Sequence, residues 1–595
     1  MRKETRQTVA FFFKEVWREK PVYYIFLCIG IILMAIQPFP NIIFPKLIIE
    51  EFLGGKRAEI IISYVVILII CNWLVSNLIH VLGSQNEKLN SWFEIHFDKM
   101  LTRRCMDMDF EHTENPDVLN QIRKAKDGMG FYSGGLRGLI ECFKQIVASV
   151  ITLCGVVAII ATASPLLFVI ALISVLGSTF VVSKINKLEI VVFNKGPQIN
   201  RAFWYVHDII GYPKYGKDIR LYNAEEMLRK KGEESFTDLY HLFKDQEDGK
   251  RKWGSLNAVI AMFESLGIYL YLGYLAVLGR ITIGDFSMLI TSALTFRSSL
   301  QNIITQLQDL QKKAGFMNEF CKFMNYEDAM VKGDKMVPDM SHPEIRFEHV
   351  TFRYPRTEID VLKDVNITIR PGEHLSVVGL NGAGKTTFIK LLCRLYDVTE
   401  GAIYVNGVNI QEYEYDEYMK LLSVVFQDFK LFSMSIGDNI RLSDWKKETG
   451  NNNEDILELC KLSGLKEKMD SLPEGLNTLL YKYFDETGIE PSGGEAQKIA
   501  ITRAIYKDAP IVVLDEPTAA LDPVAEYEIY KKFDNLVGGK TAVYISHRLS
   551  SCKFCDKIAV FANNTIAEYG THDELVKVDG GIYAKMFEAQ AQYYV

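Results

Sequence analysis

The sequence predicts two units of different kinds: a polytopic α-helical membrane domain with six spanning helices and long cytoplasmic extensions, then an α/β domain with a mainly parallel sheet. Three observations carry this. Long apolar stretches crowd residues 21–315 and make them unlike the remainder. Over residues 344–595, short β-branched runs alternate with helical patterns, as strands and crossover helices do. One of those runs opens onto the glycine-rich segment 379–386, followed by a helix-forming segment.

Length and composition agree. At about 150 residues per domain, a chain of 595 residues is too long for one core. With 48% hydrophobic and 24% charged residues it buries enough apolar surface to fold. A net charge of -7 gives no overall basic field to hold a polyanion, so a dedicated nucleic-acid binder is not expected. The 10 cysteines lie without regular spacing, several in apolar runs, and read as reduced thiols rather than a disulfide framework.

Six apolar spans are read at 23–49, 60–82, 143–160, 166–182, 256–278 and 286–304. Each is near the ~20 residues that cross ~30 Å of hydrocarbon. The polar break 161–165, ending in Pro165, predicts a tight turn between the third and fourth. Arg2, Lys3, Arg6, Lys14, Arg18 and Lys20 precede the first span and place the N-terminus in the cytoplasm, to which an even number of spans returns the chain. Phe11, Phe12, Phe13 and Trp17 suggest an interfacial helix over residues 1–20, and the charged start argues against a signal peptide.

The links 84–142 and 185–250 are long, charged and helical in period, so the spans should continue well into the cytoplasm. A short transverse helix is expected at each tip. One opens at Asn115-Pro116 and runs through Val118, Leu119 and Ile122, and the other follows the turn-rich 211–216. Residues 316–343, with Gly333, Pro338 and Pro343, read as a linker. Glu264 and Arg297 are ionisable at membrane depth and are expected either to line a cavity or to pair with each other. Tyr269, Tyr271 and Tyr274 suit an interfacial belt better than that cavity.

The chemistry lies in the second unit. Gly379, Asn381, Gly382, Ala383, Gly384, Lys385, Thr386 and Thr387 fit a phosphate loop between a buried strand and a helix. Its amides would close around phosphates, Lys385 would reach the β- and γ-phosphates, and Thr386 would offer a hydroxyl to Mg2+. Further on, the buried run 511–514 ends in Asp515 and Glu516 at the carboxyl edge of the sheet, where ligands bind. Asp515 would hold Mg2+ and Glu516 would polarise the attacking water. Cys552 and Cys555 have metal or redox spacing but lack a second pair, so structural cysteines are favoured.

Between these motifs stands Pro491-Ser492-Gly493-Gly494-Glu495-Ala496-Gln497, which resembles the signature of ABC transporter ATPases. Six spans followed by one ATPase domain is similar to the layout of an exporter-type half-transporter in that family. The resemblance implies ATP and Mg2+ as cofactors, and a dimer in which Ser492, Gly493 and Gly494 close the phosphate loop of a second half-transporter. It also implies Tyr354 as the aromatic stacked on adenine, Gln427 as the Q-loop glutamine near Mg2+, Asp522 as the D-loop aspartate, and His547 as the switch histidine at the γ-phosphate. A strand tyrosine or a lone histidine would otherwise read as structural. Glu486, in 485–488, resembles the acid of the exporter X-loop.

The signature departs from the commoner Leu-Ser-Gly-Gly-Gln at Pro491 and Glu495. A missing N–H and an added negative charge near a triphosphate could weaken the site it completes, while Glu516 and His547 stand intact. That combination resembles half of an asymmetric heterodimer, favoured over a homodimer. The implied function is ATP-driven export of a peptide, lipid or drug-like solute by alternating access, from the plasma membrane of a bacterium. An importer on the same fold, or an ATP-gated channel, is the alternative. No leader peptidase domain is expected before the first span.

Overall fold

The computed structural model describes residues 3–130, 134–161, 166–212, 215–442, 453–516, 538–546, 549 and 551–591. These residues cluster into two units, residues 1–107 with 116–326, and residues 108–115 with 327–595.

The first unit is helical: α1 (Lys3–Glu19), α2 (Val22–Ile36), α3 (Phe39–Leu53), α4 (Ala58–Asp107), α6 (Pro116–Met129), α7 (Gly135–Ala161), α8 (Leu166–Gly211), α9 (Gly216–Leu221), α10 (Glu225–Val277) and α11 (Ile283–Met324). α5 (Phe110–Glu114) belongs to the second unit. The stretch read as one first span is two helices, because Pro38 and Pro40 restart the helix after Gln37. The helices do run far beyond a bilayer: α4 has 50 residues, α8 46 and α10 53, and 50 residues make about 75 Å.

Among the described residues five segments are long and apolar enough to cross a membrane: Val22–Leu53, Ala58–Asp107, Gly135–Ala161, Leu166–Val192 and Glu225–Val277. α11, read as the sixth span, is not among them, because Ser, Thr, Asn and Gln interrupt its apolar residues. The reason is its place inside the unit. Gly284, Leu289, Ile290, Ser292, Ala293, Phe296 and Ser299 are buried against α3, α7 and α8, so this helix need not present an apolar face to lipid. The apolar window of α4 is by contrast wholly unburied, as a lipid-facing helix requires. Residues 316–324, read as the start of a linker, are the last turns of α11. Phe320 is fully buried between the rings of Phe12 and Phe97, which also fixes α1.

Glu264 pairs with Arg297: Nε lies 2.7 Å from a carboxylate oxygen that also accepts a hydrogen bond from Ser174 at 2.5 Å. The Glu264 side chain is 1% exposed, so of the two expectations for these residues the ion pair holds, and it ties α8, α10 and α11 together. Tyr269 and Tyr274 are exposed.

The second unit contains two sheets. Strands β1 (Ile345–Arg353), β2 (Asp360–Ile369), β4 (Glu400–Val405) and β5 (Val408–Asn409) form an antiparallel sheet in the order β2-β1-β4-β5. The other has the order β10-β9-β3-β8-β7-β6, from β3 (His374–Gly379), β6 (Leu422–Val425), β7 (Ile511–Asp515), β8 (Thr541–Ile545), β9 (Lys557–Ala562) and β10 (Thr565–Gly570). It is parallel apart from β10, which runs antiparallel on β9. β7 and β8 are buried at every position, as strands covered on both faces must be. Helix α12 (Lys385–Leu392) joins the two sheets, its Phe388 stacked on Phe347 at 4.3 Å and packed edge-on against Phe561. α13 (Tyr415–Lys420), α14 (Ile436–Ile440), α15 (Asn453–Leu462), α16 (Lys466–Ser471) and α17 (Gly493–Lys507) follow, then α18 (His572–Leu575) and α19 (Ile582–Ala591).

No disulfide joins any of the 10 cysteines, all of them among the described residues. Cys552 is fully buried beside Ser376, and burial pushes its thiol up to about 11, as befits a packing residue.

Candidate functional site

β3 delivers the chain to the phosphate loop in a geometry only glycine fills. Gly379, Gly382 and Gly384 have φ of 150°, 81° and 96°. A Cβ on Gly379 would lie 2.3 Å from the Phe561 carbonyl oxygen, and one on Gly384 would meet Leu362 at 2.6 Å. At Gly382 the space is open, so its glycine answers to backbone conformation alone. Asn381 and Gly382 are exposed and Ala383 half-buried. Gly384 is the N-cap of α12, which aims that helix's free amides into the loop. Lys385 is buried and donates to the carbonyls of Gly379 at 2.8 Å and Leu380 at 3.1 Å, so its ammonium spans the loop. Burial lowers its pKa, with Glu516 and Asp515 opposing.

β7 ends beside this loop at Asp515 and Glu516. Asp515 is 1% exposed and one of its carboxylate oxygens, Oδ1, has no hydrogen-bond partner among the described residues. Burial, reinforced by Glu516, pushes its carboxyl up to about 6, with Lys385 opposing. A buried carboxylate oxygen left unsatisfied next to a threonine hydroxyl suits a divalent cation with oxygen ligands. Glu516 has φ of 48°, a strained value for a side chain other than glycine, and its amide donates to the Ile545 carbonyl at 3.1 Å. Gln427, just past β6, donates to the Glu516 carboxylate at 3.0 Å. Gln497 of α17 donates to the Glu516 carbonyl at 3.2 Å. The sheet edge and α17 are thereby joined at the residue expected to polarise water. Gln497 was legible only as part of a motif; its bond to Glu516 had no sequence signal.

Tyr354 follows β1, half-buried. Its hydroxyl lies 3.0 Å from Thr387 Oγ1, and its ring meets Phe352 and Tyr396 edge-on. Asp522 and His547 lie outside the described residues, as does the turn 162–165.

The signature segment opens α17, with Ser492 and Gly493 exposed. Ser492 is the N-cap of a reciprocal capping box: its Oγ accepts from the Glu495 amide at 3.3 Å, and Glu495 Oε2 accepts from the Ser492 amide at 2.8 Å. Pro491 precedes the cap, so its missing N–H costs this arrangement nothing. Lys468 of α16 lies 3.1 Å from the other Glu495 oxygen. Burial raises the Glu495 carboxyl, but the Ser492 amide and Lys468 outweigh it and hold the group below its ordinary value. The expectation that Pro491 and Glu495 disturb the signature therefore meets a segment that accommodates both.

The helix of the first long link that belongs to the second unit is α5, one element earlier than the short helix expected from Asn115-Pro116. Asp109, just before α5, ties the segment to the start of the later chain by accepting from the amides of Ala329 and Met330 at 2.7 and 2.8 Å. Glu114 accepts from Lys390 at 2.9 Å and from the Tyr396 hydroxyl. Burial pushes the Glu114 carboxyl up, but these two partners hold it below its ordinary value. Phe110 packs edge-on against Tyr396. α9, at the second tip, has no buried residue, and its last residue Leu221 and the following Tyr222 are exposed.

A family model described as ABC transporter matches residues 362–519. The chain is 28% identical over 568 residues, 94% of its length and 90% of the relative's, to the subtilin transport ATP-binding protein SpaT of Bacillus subtilis. It is 35% identical over 328 residues to the ATP-dependent lipid A-core flippase of Acinetobacter baylyi, a match spanning about half of each protein, 55%. In fold it is similar to a bacterial Atm1-family ABC exporter solved with ATP bound, with a TM-score of 0.82 and 21% identity over 97% of this chain and 99% of that one.

Proposed function

Because the chain belongs to the ABC transporters, as an exporter-type protein whose helical membrane domain is fused to one ATPase domain, we propose that it is one half of a dimer, a heterodimer rather than a homodimer, that moves a solute outward from the cytoplasm. Its ATPase domain binds ATP, and ATP hydrolysis is coupled to transport.

One observation supports dimerisation above the rest. Asn381 and Gly382 on the loop, and Ser492 and Gly493 on the signature, are exposed, so each half of a composite site faces solvent. In the proposed dimer the signature of one chain closes the loop of the other. Lys385 and the loop amides hold the phosphates, Tyr354 stacks on adenine, and Glu516, held by Gln427, orients the water that attacks the γ-phosphate. Asp522 and His547 complete the set at the subunit contact and the γ-phosphate. Mg2+, held by Thr386, Asp515 and Gln427, would supply positive charge against the developing charge on the phosphate oxygens. Of the two link tips, α9, with its exposed Leu221 and the following Tyr222, is the one that reaches across to the partner's ATPase domain in this reading, since α5 belongs with its own chain's second unit.

The departures at Pro491 and Glu495 favour the heterodimer. The intact capping box around them supports the homodimer as the second reading. The solute is a peptide or lipid, in keeping with relatives named for subtilin transport and for flipping lipid A-core, and the site of action is a bacterial plasma membrane with the ATPase domain in the cytoplasm.

ATPase activity of the purified chain in nanodiscs, with Glu516→Gln beside it, tests this. Turnover abolished by the substitution means a competent homodimer. Near-zero turnover from a chain that still binds ATP means a missing second subunit. Turnover indifferent to Glu516→Gln sinks the assignment of the water-orienting base.

A further inference from the structure

The signature carries a carboxylate where a neutral residue is commoner, and it stands one helical turn from the serine that would meet a triphosphate. Unopposed, that charge would repel the nucleotide. Two contacts control it. The Ser492 amide takes one oxygen at 2.8 Å and Lys468 lies 3.1 Å from the other. Lys468 is not there by a chance swing of a surface chain. Its neighbour Met469, with Leu465, is buried in one apolar cluster with Ile499, which lies one turn beyond Glu495 on α17. Lys498 also donates to the Gly464 carbonyl at 3.0 Å, a second tie between α17 and the turn before α16. The register of residues 468 and 495 is therefore set by packing.

The hydrogen-bond directions have a consequence for the serine. Its Oγ accepts from the Glu495 amide, so its own hydrogen is the one left to donate.

We propose that Lys468 is a positioning residue of the composite ATP site: it neutralises Glu495 and keeps that carboxylate on the Ser492 amide, so that the serine hydroxyl is free and aimed to donate to a phosphate oxygen of ATP bound across the dimer. This rests on the composite-site reading. It assigns the compensation for an unusual signature to a helix outside every recognised motif.

The test is a double-mutant cycle on the full-length transporter, purified with whatever second subunit accompanies it. Lys468→Ala is expected to raise the KM for ATP roughly threefold to fivefold, as loss of a half-exposed ion pair does, with kcat within about twofold. In a Glu495→Gln background the same substitution should change KM less than about twofold, because no charge remains to neutralise. Lys468→Arg should restore the KM, and the effect of Lys468→Ala should shrink in high salt. Equal effects of Lys468→Ala in both backgrounds, or none in either, overturn the proposal while leaving the composite site standing. A transporter with no ATP-dependent turnover in any background overturns the composite-site reading itself, and this inference with it.

Discussion

In the proposed dimer the phosphate loop would hold the chain's own nucleotide and the signature segment the partner's, and the two are fixed in opposite ways. The loop is clamped by its own domain: Phe561 of β9 and Leu362 of β2 leave no room for a Cβ at Gly379 and Gly384, and Lys385 is buried across it. The signature stands exposed at a helix end, held by two reciprocal hydrogen bonds and one surface ammonium. One half is shaped by its own domain. The other keeps its polar groups available to a neighbour, so charge at its edge matters more than packing does.

Substitutions can probe that contrast, and Gly379→Ala should have the largest effect. The added Cβ meets the Phe561 carbonyl and a left-handed backbone, costing about 1–3 kcal/mol, so ATP affinity should fall about tenfold or more in a fluorescent-nucleotide titration. Unchanged affinity would mean that the loop is not clamped. Ser492→Ala should cost less, about 1 kcal/mol for a lost N-cap, seen as a lower melting temperature and a higher KM with ATP affinity of the chain's own loop unaltered. A change in that affinity would break the separation of the two halves. Tyr354→Phe removes only the hydroxyl held by Thr387, worth about 1 kcal/mol or less. It should leave nucleotide stacking intact, and a large loss of ATP binding would show that the hydroxyl rather than the ring is what matters.

The smallest effect concerns pH. Glu495 is held below its ordinary value in the folded protein. Its stabilising contribution is therefore complete above the ordinary carboxylate range and is lost as pH falls through the folded value. The difference in melting temperature between the wild type and Glu495→Gln should narrow from neutral pH to about pH 3, near the lower end of carboxylate titration. A difference that stays constant would show that the carboxylate is not engaged.

The contrast also explains what could be read in advance. The loop, Asp515 and Glu516 were legible because strand, glycines and acids stand close together in sequence and obey local rules. The parallel sheet followed from the same strands. The antiparallel sheet was not anticipated, since β1, β2 and β4 reveal their pairing only in space. α11 was read as a sixth span from its apolar stretch 286–304, but that it continues to Met324 and is buried among its neighbours shows only in the structure. Lys468 and Tyr396 gave no signal, and Gln497 none beyond its place in the motif, for each acts on partners distant in the chain. Glu264 and Arg297 were visible as misplaced charges, but only the structure joins them to Ser174.

α5 bears on the order of synthesis. Residues 108–115 leave the ribosome long before the strands and α12 that receive Phe110 and Glu114 exist. Until then the segment must wait with its partners unmade. The ATPase unit cannot be completed from its own stretch of chain alone, because residues 108–115, made about two hundred residues earlier, are part of it.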